Sequence, residues 1–102
     1  MPAVDMLVTY RPKPGHEQEL ETLVKKHWPA LSAAGLVEGD VVIWRSTDKR
    51  SGQVSFVEKF QWKDEEAPGI AHQLPEVMSI WEPMTPILEE LKLATIERIE
   101  TA

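Results

Sequence analysis

Three histidines, four tryptophans and one glutamate in an apolar setting are the residues of this 102-residue chain best equipped for chemistry. In VSFVEKFQW, Glu58 shares one face of an extended run with Val54, Phe56, Phe60 and Trp62, because successive side chains of a strand alternate. Burial suits a carboxyl among apolar neighbours to proton transfer near neutrality; a solvated position near a rim is the plainer alternative. His72, in AHQLPEV, lies between Pro68-Gly69 and Pro75, which free it from helical periodicity. It can act as a general base or hydrogen-bond a substrate carbonyl, or be merely exposed. Glu58 and His72 are thus the candidate proton-transfer residues. Trp44, Phe60, Trp62 and Trp81 are candidates to line a cavity for a flat aromatic ligand, since their rings give broad contact at little entropic cost. The same residues would serve equally as core. His27 falls on the apolar stripe of a helical segment and reads as core edge, and His16, at the start of that segment, as a cap-region residue.

Other chemistries find little support. The chain has no cysteine, which removes disulfides and thiolate nucleophiles. The histidines are far apart and form no HxH or HxxxH pair, so no metal site is expected. There is no phosphate-cradling glycine loop and no GxSxG, so no cofactor is expected either. Eleven basic against seventeen acidic residues give a net charge of −6, which repels nucleic acid and anionic membranes alike. No leader-like or membrane-length apolar run occurs, so the expectation is a soluble, cytoplasmic protein.

The positioning elements follow from periodicity. Val4, Met6, Val8 and Tyr10 alternate with Asp5, Thr9 and Arg11, as in a strand; Asp5 reads as a surface or interface charge. Pro12, Pro14 and Gly15 stop that strand. From His16, the residues Leu20, Leu23, Val24, Trp28 and Leu31 recur at helical spacing, with Glu21 and Lys25 paired one turn apart. Pro29 should kink the helix and Gly35 should end it. Asp40 to Arg45 and Val54 to Trp62 read as a hairpin joined through STDKRSG. Asp64 can cap a short helical turn that Pro68-Gly69 interrupts, and Pro75 can open a further helix with the stripe Val77, Ile80, Trp81, Met84, Leu88 and Leu91. Pro83 and Pro86 break it into pieces, and LKLATIERIE supplies a closing strand. The order β-α-β-β-α-β predicts one domain over residues 1–102, a ferredoxin-like α+β fold with an antiparallel sheet and both helices on one face. The VVIW strand is apolar on both faces, so the open face should pair with a second copy as a homodimer.

Two runs resemble a known family. RPKPGHEQELETLV and WKDEEAPGIAHQLPEV are similar to the strand-to-helix turn and the second signature of the antibiotic biosynthesis monooxygenase-like proteins. The resemblance implies a dimeric α/β barrel with a cavity between sheet and helices. It also implies activities ranging from cofactor-free oxidation of aromatic polyketides to heme degradation. The heme-degrading branch carries a histidine late in its second helix, where this chain has Trp81, which counts against heme. Two functions remain open: a small cofactor-independent monooxygenase acting on an aromatic or quinone-like substrate, in which the substrate carries the electrons to oxygen, or a non-catalytic dimeric module that holds a small apolar ligand or is structural.

Overall fold

The computed structural model describes residues 2–101. Strand β1 (Val4–Pro12) is followed by helix α1 (Glu17–Ala33), β2 (Val37–Thr47), β3 (Val54–Trp62), α2 (Ala67–Ala71), α3 (Pro75–Met84), a short 3-10 turn (Thr85–Ile87) and β4 (Leu88–Thr95). The four strands form one antiparallel sheet in the order β2-β3-β1-β4. This is the ferredoxin-like α+β arrangement that the element order predicts.

Local sequence explains most of the boundaries. Helix α1 ends in a glycine-based C-cap: Gly35 has φ +72°, its N–H donates to the Ser32 carbonyl at 3.0 Å, and the Leu36 N–H donates to the Leu31 carbonyl at 3.0 Å. That pattern satisfies two carbonyls the helix would otherwise leave open, and both leucines are buried against it. Glu21 and Lys25 pair at 3.2 Å on its outer face. Asp64 Oδ1 accepts from the backbone N–H groups of Glu66 and Ala67 at 2.9 and 3.0 Å, capping the entry to α2.

Three local expectations are corrected. Pro68-Gly69 does not interrupt α2, because Pro68 occupies the first turn, where its missing N–H would have no helical partner. Helix α3 runs through Pro83 to Met84. Leu88 and Leu91 belong to β4 rather than to a helical stripe, since the chain turns extended immediately after the Pro86 turn.

The core lies between the sheet and the helices. Val8, Tyr10, Phe56, Phe60 and Trp62 face it from the sheet, Leu20, Val24 and Leu31 from α1, and Val77 and Met84 from α3. Helix α1 lies over β2 and β3 and packs against α3. On β4, Leu91 pairs with Tyr10 and Leu93 with Val8, so both point to the helix side, yet Leu93 remains 65% exposed. The helical layer thus leaves a space over β1 and β4. On the opposite face, Val42 and Trp44 are exposed while Val41 and Ile43 turn inward. Among the described residues no helix is long and apolar enough to cross a membrane.

Candidate functional site

That uncovered space is a cavity of about 580 Å³, within the range typical of small-molecule sites. Met6, Val8 and Tyr10 form its floor with Leu91 and Leu93, while Phe60 and Trp62 form one side. Met78, Trp81 and Met84 of α3 supply the roof.

A buried polar cluster opens onto this apolar space. Glu58 is fully buried on β3, facing in, between Val8 of β1 and Ile43 of β2. Tyr10 Oη donates to Glu58 Oε1 at 2.6 Å, and His27 Nδ1 lies 2.9 and 3.1 Å from the two carboxylate oxygens. The three residues come from β1, α1 and β3, each from the apolar face of its element. His27 reaches the carboxylate because Leu20, Val24, His27 and Leu31 form the buried stripe of α1, and α1 lies over β3.

The hydrogen-bond network assigns the protons. With two oxygens of an ionised carboxylate in range, Nδ1 is assigned the hydrogen and donates. Tyr10 remains a neutral phenol: burial foremost, then the adjacent Glu58 charge and the hydrogen bond to it, hold its pKa well above its ordinary 10.0. The carboxylate thus receives two donors, as a buried charge requires. Because Glu58 holds Nδ1, the other ring nitrogen is left over. Among the described residues Nε2 is buried without a hydrogen-bond partner, and the His27 ring lines the cavity. Trp62 Nε1 is likewise buried and without a partner among them, beside the same space.

The residues singled out in the sequence fall in different places. Phe60, Trp62 and Trp81 line the cavity, as does His72. Trp44 does not: it pairs with Val57, on the sheet face away from the helices, and is 48% exposed. A one-residue step along a strand reverses the face, and Trp44 follows the inward-facing Ile43. Glu58 lies behind His27 rather than in the cavity wall. His72 is exposed at the mouth with its ring edge-on to Trp81, centroids 4.7 Å apart. Glu58 and His72 therefore do not form a pair. Asp64, Glu65 and Glu82 stand at the same mouth. His27 is no core edge: it is 3% exposed, with Phe60 edge-on at 5.7 Å and Trp81 tilted at 5.6 Å. The residues the sequence reading missed are His27 and Tyr10. The available signal was three polar side chains on three apolar faces, each costly to bury unless partnered by another. Among the described residues no group of three or more His, Asp and Glu side chains is arranged to hold a metal ion.

No family model matches this chain, and no curated protein matches it. Solved structures do. SnoaB, a cofactor-independent oxygenase from Streptomyces nogalater, is 16% identical with a TM-score of 0.74, over 100% of both chains. A candidate antibiotic biosynthesis monooxygenase from Bordetella bronchiseptica is 14% identical with a TM-score of 0.75, covering 98% of this chain and 100% of its own. A NIPSNAP family protein from Agrobacterium tumefaciens is 12% identical with a TM-score of 0.70, covering 99% of this chain and 90% of its own. At such identities the likeness is one of fold. At that level it bears out the resemblance read from the two sequence runs.

Proposed function

We propose that this protein is a cofactor-independent monooxygenase acting on an aromatic or quinone-like substrate held in the cavity, with His27 as its general base. The observation that carries the proposal is a buried histidine in the wall of an apolar cavity whose Nε2 has no hydrogen-bond partner among the described residues. Glu58 holds Nδ1–H, so Nε2 keeps its lone pair free, and a shift of the covering Trp81 ring would let it take a proton from a phenol, enol or activated methylene. Glu58 then balances the imidazolium, and Tyr10 holds Glu58 in place. Apolar walls exclude water from the substrate anion, which passes its electrons to dioxygen. For a ring methylene the balance is CH2 + O2 → C=O + H2O. One oxygen atom forms the carbonyl, the other leaves as water with both hydrogens, and the four electrons come from the carbon. No external reductant is needed. The name of SnoaB supports this class of reaction.

The test is oxygen uptake and quinone absorbance with a hydroxylated anthrone. His27→Gln keeps a donor toward Glu58 and removes the base, and should lower the rate by about 10² to 10⁴. A variant as fast as the wild-type protein would overturn the assignment. The apolar walls also favour a second reading, a binding module without turnover. In that case neither protein would accelerate the oxidation, while both would bind the ligand.

We also infer a homodimer formed through the open sheet face. Leu7, Val42, Trp44 and Val57 lie on that face with Thr9 and Lys59, and Trp44 is too exposed to be explained by its own subunit. Sedimentation at micromolar concentration should give a dimer, and Trp44→Glu a monomer. A wild-type monomer would refute the pairing.

A further inference from the structure

Granted that a substrate occupies this cavity, we infer that the cavity selects molecules that enter uncharged and acquire negative charge only inside, by losing a proton to His27. Among the described residues the carboxylates lining the cavity are Asp64, Glu65 and Glu82, and neither lysine nor arginine lines it. Glu65 and Glu82 are exposed at the mouth, and the whole chain carries a net charge of −6. An anionic molecule approaching this mouth meets three carboxylates, and the one basic side chain beside them among the described residues is the imidazole of His72. Inside, the polar demands are complementary to a neutral hydroxyl compound. At the inner wall His27 Nε2, with Nδ1 held by Glu58, lacks a donor, and Trp62 Nε1–H lacks an acceptor, among the described residues. A neutral phenol or enol with a carbonyl group carries the donor and the acceptor that these two buried nitrogens lack. A carboxylate offers His27 no proton and adds charge in front of Glu58. The substrate class is therefore an apolar ring system bearing an unionised hydroxyl. Molecules carrying a carboxylate, a phosphate or a phosphate-linked carrier are disfavoured.

The experiment compares 2-naphthol with 2-naphthoate, one ring system in neutral and anionic form, by titration calorimetry at neutral pH. Wild-type protein at low salt should bind the naphthol about tenfold more tightly, the size expected of three carboxylates acting through water across roughly 9 Å. In the double variant Glu65→Gln/Glu82→Gln the ratio should shrink about fivefold. These are exposed positions whose exchange leaves the core intact, and about 0.5 M salt should shrink the ratio in the wild-type protein as well. Equal or tighter binding of the naphthoate, or a ratio unmoved by both the variant and salt, overturns the inference. If the naphthoate binds well while His27→Gln still abolishes oxidation, charge selection fails and the general base stands. If neither compound binds, both fall together.

Discussion

Replacing Tyr10 by phenylalanine removes one oxygen atom and tests the whole buried cluster. The hydroxyl donates to Glu58 at 2.6 Å, and the carboxylate is fully buried. A hydrogen bond to a charged group contributes about 1.5–3 kcal/mol, and a buried acceptor left short of a partner costs about as much again when it cannot relax. The His27 Nδ1–H remains within reach of both oxygens, so part of the loss is recovered. Tyr10→Phe should therefore cost about 2–3 kcal/mol at pH 7, or roughly 10–20 °C in Tm for a domain of this size. The phenol also predicts a pH signature. Its folded pKa lies above its ordinary 10.0, so above pH 10 the unfolded chain releases a proton that the folded chain keeps. Stability from this source is complete below pH 10 and declines as pH rises toward the folded value. Urea unfolding at pH 7 and again near pH 11 should show a larger fall for the wild-type protein than for Tyr10→Phe. A loss below about 0.5 kcal/mol at pH 7 together with identical alkaline slopes would mean that Tyr10 does not hold Glu58, and the cluster reading would be wrong.

His72→Ala removes an exposed ring at the mouth. Stability should change by less than about 0.5 kcal/mol, and oxidation should fall by no more than about tenfold, far less than with His27→Gln; a loss as large as that of His27→Gln would return the base to His72. Trp81→Ala strips the half-buried ring that separates His27 from His72. It should cost about 2 kcal/mol, below the range for a fully buried tryptophan, and make His27 accessible to diethyl pyrocarbonate; a His27 that stays as unreactive as in the wild-type protein would show that Trp81 is not its cover.

The sequence by itself determined the elements, their order and most of their faces, because those depend on neighbours a few residues away. Period-two alternation in VDMLVTY and VSFVEKFQW puts Tyr10 and Glu58 on inward faces, and helical spacing puts His27 on the stripe of α1. Gly35 ends that helix because its left-handed conformation is one that glycine adopts without a Cβ clash. Tertiary structure decided which of these faces meet. Tyr10 and Glu58 are 48 residues apart and His27 and Glu58 are 31 apart; they touch only because β1 and β3 pair in one particular register and α1 lies over β3. A polar residue on an apolar face looks the same in sequence whether it is partnered or stranded, so His27 read alone is core edge. Trp44 shows the converse. Its strand is apolar on both sides, and local pattern could not assign its face; pairing with Val57 turned it away from the helices. The cavity was beyond local pattern for the same reason, being the space that two short, proline-bounded helices leave over β1 and β4. The site we propose lies there, where strand order and helix placement bring the His27 ring to an apolar wall with Nδ1 already engaged by Glu58.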